Sequence, residues 1–242
     1  MKIAISIFSF LLITAMGCLP LLAQPIKILA CTKTNGFRHK AMPAATAALT
    51  AMAKENNWEI TFTEDSLAFS NYKALKKYNA ILFVFATGKI FGEAEEQAFQ
   101  KYMEKGGAFV SIHTGTDVEK NWPWYMGMVG AAFKNHPKQQ NATYLVVDST
   151  HPSTKYLPRE WQHFDEIYNF AAPLPANFHV LMEVKESSYS GGTMGKHPIA
   201  WYGQVKKARV FQTALGHTDE CYTDKYFLQH LLGGIKWAMK IE

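Results

Sequence analysis

The chain has 242 residues, of which 48% are hydrophobic, 14% aromatic and 19% charged, which describes a globular chain able to bury a substantial core in one domain. Its net charge of +5 is mild, and the Lys and Arg residues are scattered singly or in pairs such as Lys76-Lys77 and Lys206-Lys207, so no basic stripe marks a nucleic-acid binder. Three cysteines without a CxxC pair make neither a disulfide framework nor a thiolate zinc site.

The N-terminus reads first as a targeting segment. Met1-Lys2 precedes an apolar run from Ile3 to Leu22, and no acidic residue occurs before Glu55. That pattern is an export signal, and cleavage before Gln24 is expected to remove residues 1–23. Two alternatives stay open: "AMGC" resembles a lipoprotein signal ending at Cys18, and a retained anchor is a third reading. The mature chain is expected to be periplasmic or extracellular, and soluble unless lipidated at Cys18. Cys31 and Cys221 then remain, and a single bridge between them is open.

Next comes an alternating series. "IKILACT" (Ile26–Thr32) predicts a buried strand and "TNGFRHK" a loop. "AMPAATAALTAMAKENN" has helical spacing with Pro near its first turn. "WEITFTED" alternates as a strand does, and "AILFVFATG" is apolar throughout, as a central parallel strand requires. "GEAEEQAFQKYMEKGG" predicts a helix with an acidic first turn and a Gly-Gly stop, followed by the strand "AFVSI". The result is β-α-β-α-β-α-β, a doubly wound parallel sheet. The second half adds further strands ("ATYLVVD", "FDEIYNF", "FHVLMEV", "HPIAWYG", "ARVFQTALG") and a closing amphipathic helix from Lys225 to Lys240. No repeat or linker divides residues 25–240.

Ligands of such sheets sit beyond the carboxyl ends of the strands. Polar clusters fall there at Thr32–His39, Thr87–Lys89 and His113–Asp117. His113, with Thr114 beside it, occupies a turn where many α/β enzymes carry a nucleophile. Arg38 offers a guanidinium for a carboxylate or for sugar hydroxyls, or is merely exposed, and His39 lies on the same rim. In "FDEIY" strand alternation sets Glu166 and Tyr168 on one face, opposite Asp165 and Ile167. Trp201 either stacks on a sugar face or fills the core. His151 and His197 are further rim candidates; His179, His230 and Arg209 read as structural or surface residues.

Taken in order, "TNGFRH", "GGAFVSIHTGTD", "HFDEIYNF", "HPIAWYGQVKKARVFQTALGHTDE" and "LLGGIKWA" resemble the ThuA-like family, named for trehalose utilisation, across the whole mature chain. The resemblance implies a flavodoxin-like fold of the class I glutamine amidotransferase type and a small carbohydrate as partner. Amidotransferases of that type carry a cysteine at this turn and a late His-x-Glu element. Here the turn holds His113 and the late element is "GHTDE", with His217. An imidazole cannot form the thioester of glutamine hydrolysis, so no glutaminase activity is expected. The leading expectation is acid–base chemistry by His113 and His217 with Glu166 on a sugar or keto-sugar, with Arg38, His39, Thr114, Tyr168 and Trp201 contacting substrate. Two rivals stay open: a non-catalytic sugar-binding protein, and a metal-dependent hydrolase in which both histidines hold a divalent metal with Glu166 or Asp165 as oxygen ligand.

Overall fold

Apolar strands and amphipathic helices follow one another in the expected order. The computed structural model describes residues 24–242; the expected export signal at 1–23 and the lipid-attachment alternative at Cys18 lie outside them. The first half comprises β1 (Ile26–Cys31), α1 (Met42–Glu55), β2 (Trp58–Thr63), α2 (Tyr72–Leu75), β3 (Ala80–Val84), α3 (Glu93–Glu104) and β4 (Ala108–Ile112). The second half adds α4 (Pro123–Val129), β5 (Phe133–Asn135), β6 (Gln140–Val146), β7 (Glu160–Asp165), β8 (Asn169–Phe170), β9 (His179–Val184), β10 (Pro198–Val205), β11 (Ala208–Thr213) and α5 (Lys225–Met239).

Nine strands form one sheet in the order β2-β1-β3-β4-β11-β10-β9-β6-β7. From β2 to β11 every pairing is parallel, and from β11 to β7 every pairing is antiparallel. The flavodoxin-like half therefore carries the additional strands as an antiparallel extension. β5 and β8 make a separate two-stranded ribbon.

Strand residues alternate between two apolar layers, because successive side chains point to opposite faces. Ile28, Leu82, Val84, Val110 and Ile112 pack toward Leu49 of α1 and Leu231 and Ile235 of α5. Leu29, Ile81, Phe83 and Phe109 pack toward Leu75 of α2, Phe99 of α3 and Tyr125 of α4. Burying each such side chain is worth about 1.5–3 kcal/mol, so helices on both faces hold the parallel half in place. Cys31 and Cys221 are both buried and free, so the open question of a bridge is answered against it.

One strand expectation is corrected. "FDEIY" is not a single alternating strand: β7 stops at Asp165, and residues 166–168 cross to β8 as irregular chain in which Asp165, Glu166, Ile167 and Tyr168 are all buried. Asp165 is the last ladder residue, paired with Gln140, and its carboxylate turns inward to bind main-chain amides where the strand ends. Its effect is positional: the carboxyl ends of β1, β3, β4, β11 and β7 all open at one edge of the sheet.

Candidate functional site

At that edge the chain leaves β4 through His113, whose φ of 67° lies in the left-handed region that residues other than Gly seldom adopt. The turn is tight. His113 N–H donates to Thr213 O at 2.8 Å, and a Cβ on Gly115 would overlap the Ser111 and Gln212 side chains. The ring is equally fixed, because His113 Nδ1 lies 2.8 Å from Ala214 O. A carbonyl only accepts, so Nδ1 carries a proton and donates it there, leaving Nε2 turned toward His217 and Glu166.

The opposite wall is built by Asp165. Its Oδ1 accepts from Glu166 N (2.9 Å) and His217 N (2.9 Å), and its Oδ2 accepts from Gly216 N (2.7 Å). One buried carboxylate thus ties the end of β7 to the loop after β11. Gly216 is required there, since its φ is +110° and a Cβ would lie 2.8 Å from the Phe227 ring. The clamp aims His217 Nδ1 at His113 Nε2 (3.1 Å) and at Glu166 Oε2 (3.1 Å), while His113 Nε2 lies 3.5 Å from the same oxygen.

His39 completes the group from the loop after β1. Its ring stacks on Phe85 at 4.8 Å and meets Phe37 edge-on at 4.9 Å. Ring centroids of His39, His113 and His217 stand 4.9 to 5.0 Å apart in all three pairs. One ligand atom from each of these histidines and one from Glu166 lie within 4.8 Å of one another, so these four residues can hold a metal ion. Burial, reinforced by the neighbouring His113 and His217, pushes His39 down to about 3, so its ring is neutral near pH 7. Burial alone would raise the Glu166 carboxyl, but its hydrogen bonds with His113 and His217 outweigh that and hold it well below the ordinary carboxylate range.

Above this floor lies a cavity of about 330 Å³ lined by Phe37, His39, Asp117, Phe133, His136, Gln139, Glu166, Tyr168 and His217. His136 stands at the mouth, its Nδ1 3.1 Å from Glu166 Oε1 and 2.9 Å from Pro137 O. The Tyr168 ring packs 4.6 Å from His113 and 4.3 Å from Phe133. A second cluster, His163, Asp165 and Cys221, has ligand spacing too. Its Asp165 oxygens are already occupied by three amides, and burial raises the Cys221 thiol, so it acts as a support beneath the His217 loop.

Of the residues expected from sequence, His39, His113, Glu166, Tyr168 and His217 lie together. Others do not. Trp201 is fully buried in β10 and donates its indole N–H to Val129 O at 2.8 Å, so it fills the core and offers no sugar platform. Arg38 points outward, where Glu64 holds its guanidinium at 2.8 Å. Thr114 is fully buried and does not line the cavity. His151 packs between Tyr202 and Trp237, away from the cavity. His197 is buried behind it, with Nε2 donating to the Tyr168 carbonyl at 2.8 Å. Between the two candidate oxygen ligands, Glu166 faces the histidines and Asp165 faces amides. His136 is not among the rim residues expected from sequence, because a lone histidine between Asn and Pro carries no pattern; only the β5–β8 ribbon brings it over Glu166.

Comparison with known proteins follows the same lines. The family model described as "Trehalose utilisation", ThuA, matches residues 27–238. A ThuA-like protein of Bacteroides uniformis is 25% identical over 89% of this chain and 93% of its own, with a TM-score of 0.77. A ThuA-like protein of Parabacteroides merdae is 20% identical over 89% of this chain and 90% of its own, with a TM-score of 0.75. A glutamine amidotransferase of Thermotoga maritima shares the fold at 12% identity and a TM-score of 0.55, covering 90% of this chain and 100% of its own. No curated protein matches the chain.

Proposed function

The chain belongs to the ThuA family, and from that premise we propose that it is an enzyme acting on a carbohydrate-class small molecule in the cavity above His39, His113, Glu166 and His217. The reaction is proton transfer at a sugar hydroxyl or at a carbon beside a carbonyl, carried by imidazoles that reach the cavity. An export signal at 1–23 would place this activity outside the cytoplasm.

One observation carries the reading. His113 Nε2, His217 Nδ1 and Glu166 Oε2 converge within 3.1 to 3.5 Å at the base of an open cavity, although they come from three separated parts of the chain. Polar groups brought together under solvent access at strand ends are costly to assemble and mark a working site. The imidazole at residue 113 also argues against glutamine hydrolysis, since no thiol stands at the turn. A purely sugar-binding role loses its main support with Trp201 in the core.

The test is turnover of a panel of disaccharides and keto-glycosides, followed by NMR, with wild type and His113→Asn. Asn tolerates the left-handed backbone at this turn, so the exchange removes the imidazole without adding strain. Turnover by wild type that drops at least about 100-fold in the variant supports the reading. Binding without turnover in both proteins favours the sugar-binding rival.

A further inference from the structure

We propose that His39, His113, Glu166 and His217 bind one divalent first-row transition ion, with its open side facing the cavity. This inference rests on the same site as the proposed function and names the cofactor that the site takes.

His113 Nδ1 donates to Ala214 O, which fixes the ring and turns Nε2 toward the other three residues. That nitrogen faces His217 Nδ1 at 3.1 Å and Glu166 Oε2 at 3.5 Å, and His217 Nδ1 faces the same carboxylate oxygen at 3.1 Å. Two imidazole nitrogens and one carboxylate oxygen, the usual donors to a divalent first-row ion, thus face one another. His39 adds a further imidazole beside them, and its buried Nδ1 has no hydrogen-bond partner. A buried carboxylate among imidazole nitrogens, with the unpartnered His39 Nδ1 beside it, is a setting that a bound cation satisfies.

Spacing agrees. An ion about 2.1 Å from imidazole nitrogen and carboxylate oxygen sets neighbouring donors about 3.0 Å apart in an octahedron and about 3.4 Å apart in a tetrahedron. The observed separations of 3.1, 3.1 and 3.5 Å lie within or about 0.1 Å beyond that range. Three imidazoles and one carboxylate suit zinc, iron, cobalt or manganese better than calcium or magnesium, which prefer all-oxygen sets. The outer shell is present as well: Ala214 O fixes the His113 tautomer, and Asp165 fixes the main chain on either side of His217 and Glu166. With these four residues engaged, His136 is the imidazole left free at the cavity mouth to move a proton.

The full chain, stripped with chelator, is titrated with Zn(II) by calorimetry, and with Co(II) by visible and paramagnetic NMR spectroscopy. One ion per chain is expected, with affinity more than about 100-fold weaker in His113→Asn and in Glu166→Gln. In the wild type, Co(II) is expected to shift the buried His113 Nδ1–H resonance and to protect it from exchange. Absence of stoichiometric uptake overturns the proposal, as does undiminished uptake by a folded His113→Asn/Glu166→Gln protein. Should the variants fail to fold, wild-type Co(II) protein without shifted imidazole resonances overturns it alone. Ion binding without carbohydrate turnover leaves this inference standing and removes the proposed function. Carbohydrate turnover that survives complete chelation does the reverse.

Discussion

Asp165 points away from the cavity, yet it governs the positions of two residues that point into it. Its carboxylate accepts three main-chain hydrogen bonds, and an uncharged amide can accept only on one side. Asp165→Asn would turn an NH₂ group toward one of the donating amides and leave that amide unsatisfied in a buried place. The expected cost is about 1–3 kcal/mol, measured as a lower denaturant midpoint, with a larger loss of turnover as His217 and Glu166 lose their shared anchor. Unchanged activity with reduced stability would assign Asp165 to the fold alone. At this scale legibility followed position in the chain. His113, Glu166 and His217 stand at or just past strand ends, where sheet geometry alone concentrates function. Arg38 reads from sequence either as a ligand group or as exposed, because its partner Glu64 lies on the loop after a different strand, and the contact that turns it outward is invisible before the sheet is assembled. Trp201 was left open between stacking and core for a similar reason, since β10 shows its pattern but not which face receives α4.

Among the elements, α5 carries a group whose charge state is coupled to folding. His230 is fully buried on this helix, and its Nδ1 donates to Ser153 O at 3.1 Å. Burial holds it down to about 4, opposed by the Ser153 bond and reinforced by nearby His151. The folded pKa is below the unfolded value of about 6.5, so the unfolded chain binds more protons between these values. Stability is therefore expected to be complete above about pH 6.5 and to decline as pH falls toward 4, by about 3 kcal/mol from this residue. Urea unfolding at pH 7, 5.5 and 4.5 checks the slope. His230→Leu is expected to shallow the decline while costing about 1 kcal/mol at pH 7 for the lost hydrogen bond. An unaltered slope would locate the acid sensitivity elsewhere. The sequence expected α5 from Lys225 to Lys240 on its apolar periodicity, and the helix runs from Lys225 to Met239. It missed the end of β7, because the signal for that break is a tertiary one: amides from the loop after β11 waiting for the Asp165 carboxylate.

For the molecule as a whole, the decisive feature is that β11 lies in the middle of the sheet, between β4 and β10, although it is the last strand in sequence. It joins the parallel half to the antiparallel extension, and the apolar face above it is closed by α5. A chain ended after Lys207 lacks both and would expose two unpaired strand edges and one face of the core. It is expected to show no cooperative thermal transition by circular dichroism; a sharp transition would mean that the remaining strands form a stable unit without β11. The alternation of apolar strands and amphipathic helices made the parallel half legible from sequence, and the family resemblance agreed with it. The central place of β11 was not, because a strand's rank in the chain does not state its rank in the sheet. This late insertion sets when the protein can begin to work. As the ribosome releases the chain, the histidine of the first loop and that of the β4 turn emerge early with nothing to face, and the remaining two donors become coordinated in space only after the final strand slides home. The four-residue cluster therefore cannot be assembled before β11 and the loop that follows it are available, so whatever chemistry it carries arrives last.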